Sequence, residues 1–118
     1  MEIERVGPME KDCTFCRIIR GETHTQILHA TETLVVFRDI HPQAPLHLLI
    51  VPKKHIRSVN DLDAGDVPLL GELFRAAQEL AKRQGMSRDG YRLFVNVERG
   101  GGQVIFHLHM HMVGGWGR

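Results

Sequence analysis

Apolar residues change period along this chain, and the changes mark out its elements. Between Val67 and Gln84, Leu69, Leu70, Leu73, Phe74, Ala77, Leu80 and Ala81 recur at intervals of three and four. That is one broad stripe of a long α-helix. Asp66 is placed to cap it, Pro68 suits its first turn and Gly85 can stop it. Elsewhere the period is two or the runs are short. Strands are expected at Gln26–Ala30, Leu34–Arg38, His47–Val51, Tyr91–Val97 and Val104–Val113. Thr31-Glu32-Thr33 makes the first two a hairpin, and Pro42 and Pro45 make Asp39–Pro45 an ordered loop, since proline cannot donate to a sheet ladder. A short helix from Cys13 to Arg20, closed by Gly21, precedes them. Five strands on short loops, with one helix between the third and fourth, predict an α+β fold in which helices cover an antiparallel sheet.

The last of these strands carries the candidate chemistry. In His107-Leu-His-Met-His-Met-Val the histidines alternate with Leu108, Met110 and Met112. On a strand His107, His109 and His111 would share one face, about 6.5–7 Å apart, with the apolar set on the other. A helix would scatter the apolar set around its axis. A neutral imidazole is nucleophilic near pH 7, so a middle ring flanked by two others can attack phosphorus while its neighbours hold oxygens or protons. Spacing alone leaves two other readings: hydrogen-bonded core histidines, and a metal site made by the three rings.

Composition narrows the partners. Fifteen Lys and Arg against fourteen Asp and Glu give a formal charge of +1 over 118 residues. No basic run suggests a large nucleic-acid or membrane footprint, whereas a small anionic ligand is compatible. No apolar run approaches the roughly 20 residues of a membrane helix, and Met1–Arg5 lacks the start of a signal peptide. A cytoplasmic protein is expected, with residues 1–8 a flexible leader and 9–118 a single domain. In a reducing compartment Cys13 and Cys16 are thiols or metal ligands sooner than a disulfide, although a C-x-x-C alone also fits a redox pair or two buried cysteines. The glycines of Glu98-Arg99-Gly100-Gly101-Gly102-Gln103 let backbone N–H groups approach an anion, and they lead directly into the histidines.

The segment Gly101-Gly102-Gln103-Val104-Ile105-Phe106-His107-Leu108-His109-Met110-His111-Met112-Val113-Gly114-Gly115 resembles the signature of the histidine triad family of nucleotide hydrolases and transferases. Phe37–His47, Ile50–Ile56 and Tyr91–Asn96 resemble its Hint branch, the purine nucleoside phosphoramidases, and the likeness runs in order over roughly residues 12–115. The resemblance implies a five-stranded sheet that dimerises into a continuous ten-stranded one, with the long helix and the Tyr91–Val97 strand at the interface. It implies hydrolysis of purine nucleoside 5′-phosphoramidates, or related AMP or GMP conjugates, through a nucleotidyl-histidine. His109 would be the nucleophile. His111, Asn96, Gly102 and Gln103 would hold the phosphate, and His47, with the triad including His107, would relay the proton that the leaving amine needs. Asp39 would accept the ribose hydroxyls, and Phe15, Ile18, Phe37 and Ile40 would enclose the base.

Cys13 and Cys16 match half of a structural zinc site in bacterial members, completed by His55 and His107, with no cofactor required for the chemistry itself. His111 argues against the transferase branch, which carries glutamine there, and Gly114-Gly115 makes a dinucleoside polyphosphate hydrolase the less favoured enzyme. A nucleotide-binding module without turnover and a metal or redox module are the further alternatives. Two departures stand out: Val104 replaces a serine common in Hint proteins, and only a short tail follows Trp116.

Overall fold

In the computed structural model, which describes residues 12–117, the two periods become two helices and five strands. In chain order these are α1 (Thr14–Ile19), β1 (His29–Ala30), β2 (Leu34–Arg38), β3 (Leu46–Pro52), α2 (Val67–Arg83), β4 (Tyr91–Phe94) and β5 (Met110–Gly114). All pairings are antiparallel and the sheet order is β1-β2-β3-β5-β4. The final strand thus lies inside the sheet, paired with β3 and β4. The expected leader, residues 1–8, lies outside the described residues.

The sheet is covered on both faces, which explains the unbroken apolar run Leu48–Val51 of β3. Leu48 and Ile50 join Leu34, Val36, Met110 and Met112 against Leu73, Ala77 and Leu80 of α2. Leu49 and Val51 face the other way, into a smaller cluster with Val35, Phe37, Phe15 and Ile18. Alternation along β3 and β5 therefore puts His47 and His111 on the α1 side. Helix α2 ends as its sequence suggests. Gly85 at φ +72° donates to Lys82 O at 3.3 Å and Met86 donates to Ala81 O at 2.8 Å, the paired bonds of a Schellman stop.

Several boundaries differ from expectation. Of Gln26–Ala30 only His29–Ala30 is strand, with one further bond from the Leu28 N–H to Val36 O at 2.8 Å, the fourth strand stops at Phe94 instead of Val97, and the fifth begins at Met110 instead of Val104. Pairing ends at Ile50↔Met110 and Phe94↔His111, although β3 runs on to Pro52 beside β2. Of the three triad histidines only His111 is therefore on a strand, and one evenly spaced strand face does not hold for His107 and His109. Asp66 does not cap α2, because its carboxylate receives Lys54 Nζ at 2.6 Å and the Asp63 N–H at 3.1 Å. Phe74 is not in the core. It is 58% exposed, and Val67, two turns before it on the same side of α2, is 59% exposed.

Leu73 is 2% exposed at the centre of the α2 contact. Leu73→Ala should lower unfolding stability by about 3 kcal/mol in urea titration, and a loss below about 1 kcal/mol would show that the helix does not depend on this contact.

Candidate active site

The hydrogen bonds around the buried histidines assign a proton to each ring, because backbone groups act in one direction only. A carbonyl cannot donate, so His109 Nδ1, 2.7 Å from the His107 carbonyl, must carry the hydrogen. In the neutral ring the lone pair is then on Nε2. The Gln43 N–H donates to His47 Nδ1 at 3.0 Å, so His47 carries its hydrogen on Nε2. That hydrogen faces His111 Nδ1 at 2.9 Å and makes it the acceptor. The His111 hydrogen is left on Nε2, which is buried and has no hydrogen-bond partner. An unpaired buried N–H costs on the order of 1–3 kcal/mol, which is what a site gives up when it keeps a donor ready for a ligand.

Packing holds these rings where they are. Phe94 stacks on His111 with centroids 4.5 Å apart and planes 4° apart. His109 and His111 centroids are 4.9 Å apart, and Phe15 meets His109 edge-on at 5.0 Å. Burial lowers the proton affinity of His47, partly opposed by Asp39, whose Oδ2 lies 3.4 Å from Nε2. Burial also lowers His109, and pushes His111 down to about 4 with help from His109 and His47. Burial therefore favours the neutral form of all three rings, which the accepting Nδ1 atoms of His47 and His111 also require.

Beside them, the glycine loop is fastened from within. Gln103 is 2% exposed; its Oε1 accepts the Glu98 N–H at 2.7 Å and its Nε2 donates to Arg57 O at 2.8 Å and Ile105 O at 3.0 Å. The Gln103 amide is thus committed within the loop, and so are the N–H groups of Gly101, Gly102 and Gln103, which bond the carbonyls of Glu98 and Arg99 at 3.0 Å. Glu98 has φ +60° and ψ 177°, a conformation favoured essentially only by glycine. Its carboxylate receives Ser58 Oγ at 2.7 Å and Arg57 at 3.0 Å, contacts that hold it there. Gly102, at φ +92°, turns the loop back, and Asn96 Nδ2 reaches its carbonyl at 3.4 Å.

A second cluster adjoins the first through His107. Cys13, Cys16, His55 and His107 bring four ligand atoms within 4.8 Å of one another. Cys13 Sγ to His107 Nδ1 is 3.3 Å, Cys16 Sγ to His55 Nδ1 is 3.3 Å and to His107 Nδ1 is 3.5 Å, and the two Nδ1 atoms are 3.2 Å apart. A tetrahedral zinc ion has N–N edges of about 3.3 Å and N–S edges of about 3.5 Å. His107 Nε2 donates to Pro52 O at 2.7 Å, which leaves Nδ1 bare, and burial pushes the ring down to about 4. Chemistry and spacing both fit the ion.

Most residues singled out in the sequence therefore meet here. Phe15, Ile18 and Phe37 share the smaller cluster, whereas Ile40 stands 85% exposed on the 39–45 loop and Val104 is 80% exposed. Gln43, Phe94, Glu98 and the Pro52 carbonyl escaped sequence reasoning. Two act through backbone atoms, Phe94 through strand register, and Glu98 through an unusual φ, none of which a residue pattern displays.

A family model described as "Scavenger mRNA decapping enzyme C-term binding" matches residues 12–115. The chain is 42% identical over 107 residues to purine nucleoside phosphoramidase of Escherichia coli (strain K12), covering 91% of this chain and 90% of that one. It is 41% identical over 103 residues to protein HitA of Neisseria gonorrhoeae, covering 87% and 95%. Among solved structures it matches a HIT family hydrolase from Legionella pneumophila Philadelphia 1 at 46% identity and TM-score 0.86, covering 88% and 93%. A HIT family hydrolase from Clostridium thermocellum matches at 37% identity and TM-score 0.88, covering 91% and 93%. With the sheet and the histidine constellation above, these likenesses make the chain a member of the histidine triad (HIT) family. Within that family it is a hydrolase.

Gln103→Ala strips partners from three backbone groups, and should cost on the order of 2–4 kcal/mol. Thermal unfolding checks this; a melting temperature equal to the parent's would mean that the loop is fastened by something else.

Proposed function

We propose that this hydrolase cleaves purine nucleoside 5′-phosphoramidates, or related nucleotidyl conjugates, through a nucleotidyl-histidine on His109. The observation that carries the reading is the pair of nitrogens left open by the hydrogen bonds: a lone pair on His109 Nε2 and an unpartnered N–H on His111 Nε2. A nucleophile beside a fixed donor is what attack on a phosphate ester or amide needs. The relative named purine nucleoside phosphoramidase supports the substrate class.

In this mechanism His109 Nε2 bonds to the α-phosphorus as the P–N bond to the amine breaks. The ring becomes cationic, and its Nδ1–H stays on the His107 carbonyl, which strengthens as an acceptor of a charged donor. The His111 N–H holds the phosphate oxygens. Departure of the amine needs a proton on its nitrogen. The His47–His111 pair relays it from solvent, holding the extra proton only in passing because burial keeps both rings neutral. An extra proton there would set two N–H groups face to face, and the Asp39 carboxylate, 3.4 Å from His47 Nε2, is the acceptor that relieves them. Water then attacks phosphorus, the N–P bond breaks, and a nucleoside monophosphate leaves. Asp39 also faces the ribose hydroxyls, the Phe15, Ile18 and Phe37 cluster lines the base, and the exposed Ile40 side chain closes over it.

Zinc in the Cys13, Cys16, His55 and His107 cluster stabilises the fold, and no chemical step passes through it. A homodimer, formed along the open edge of β4 with Val67 and Phe74 of α2 covered by the partner, accounts for two otherwise exposed apolar side chains. A cytoplasmic setting agrees with paired cysteines kept as thiols or ligands. Among the described residues no helix is long and apolar enough to cross a membrane.

His109→Ala should abolish amine release from a fluorogenic adenosine 5′-phosphoramidate while AMP still raises the melting temperature. Faster cleavage of a diadenosine polyphosphate would move the assignment to that class, and AMP binding without turnover in the parent would leave a binding module. Sedimentation at micromolar concentration should give twice the single-chain mass, and Phe74→Glu should shift the species toward one chain; a parent that sediments as a single chain contradicts the dimer.

A further inference from the structure

We propose that the Cys13, Cys16, His55 and His107 cluster is a positioning device for the nucleophile: it clamps His107, and the clamped His107 carbonyl decides which nitrogen of His109 carries the lone pair. The inference rests on the zinc and nucleophile readings above, and concerns a link between them that neither requires.

The link is made by one residue. The His107 ring belongs to the cluster, while its carbonyl accepts the His109 Nδ1–H at 2.7 Å. Ladder bonds do not hold that carbonyl, since β5 starts only at Met110. The holding contacts come instead from the 52–56 segment and α1. His107 Nε2 donates to Pro52 O at 2.7 Å, Leu108 N–H donates to Ile56 O at 2.6 Å, and Nδ1 lies 3.2 Å from His55 Nδ1. Phe15, between the two cysteines, gives a second connection, edge-on to His107 at 5.9 Å and to His109 at 5.0 Å. In the absence of an ion, Nδ1 atoms 3.2 Å apart keep only a shared hydrogen or the Cys13 and Cys16 thiols at 3.3 Å as partners, weak restraints that allow them to separate. Separation would tilt the His107 peptide and release His109 to its other tautomer, with the lone pair turned from the site. Small misplacements of this kind can cost roughly a hundredfold in rate.

The test follows the His109 ring itself, by long-range proton–nitrogen NMR on the full chain labelled with nitrogen-15 at histidine. Zinc-loaded protein should show one His109 tautomer, protonated at Nδ1. Removal of zinc by chelation should give mixed tautomers, with kcat on the phosphoramidate down roughly tenfold or more and KM changed much less. Zinc, and not magnesium, should restore both. His55→Gln, which keeps the His107 ring and both cysteines, should behave as the chelated parent. A folded zinc-free chain with a single His109 tautomer and kcat within about twofold overturns the proposal.

Should the ion-free chains unfold, cobalt(II) substitution gives the reading in the folded protein, since coupling between sites is reciprocal. Saturating AMP should then shift the visible cobalt bands, and unchanged bands with AMP bound overturn the positioning. Metal content measured on the same samples separates the failures. Absence of bound metal removes the zinc reading together with this one, whereas bound metal with an indifferent His109 removes this one alone. A tautomer change in a protein without turnover supports the positioning and counts only against the hydrolytic reading.

Discussion

The hydrogen bond from His109 Nδ1 to the His107 carbonyl, 2.7 Å long and buried, is the contact on which the chemistry turns. A carbonyl can only accept, so it removes the ambiguity that every imidazole otherwise carries and leaves a lone pair at a defined corner of the ring. The Gln43 N–H performs the opposite service at His47, and through His47 it fixes His111 as a donor. Two backbone groups, facing in opposite senses, thus give three similar rings three different arrangements: a bare Nε2 on His109, an open N–H on His111 and a His47 that donates to His111.

Burial and backbone strain are the cost of that order. His47, His107, His109 and His111 are all at least nine-tenths buried, and hydrogen bonds leave Nε2 open on both His109 and His111. Glu98 adds a strained backbone at the entrance to the loop, held by Gln103, Arg57 and Ser58. Neither His111 nor Glu98 belongs to the principal core, which packs against α2.

How much was legible in the sequence follows from which interactions carry each feature. Helix α2, its Gly85 stop, β2 and β3 and the antiparallel arrangement rest on periodicity and turn chemistry, and they appear in the residue pattern directly. The ends of β1, β4 and β5 depend on where the chain leaves its partner strand, and that is a tertiary fact. Reading Val104–Val113 as one strand put three histidines on a single even face. The chain instead leaves the ladder before Met110, so His107 can turn into the Cys13, Cys16 and His55 cluster. The cluster was named by a resemblance, since a C-x-x-C alone is compatible with several uses. Phe94 against His111 and Gln43 against His47 became visible only with register and loop conformation.

The most direct test of the account is to look for the intermediate itself. Turnover of a nucleoside phosphoramidate would be quenched in alkali, in which phosphorus–histidine bonds survive, and the chain digested and weighed by mass spectrometry. The account predicts one nucleotidyl mass, on the peptide that holds His109, with fragment ions that place it on that residue. A nucleotidyl group on another residue, or product formed at full rate with none trapped at any point of the time course, would contradict it.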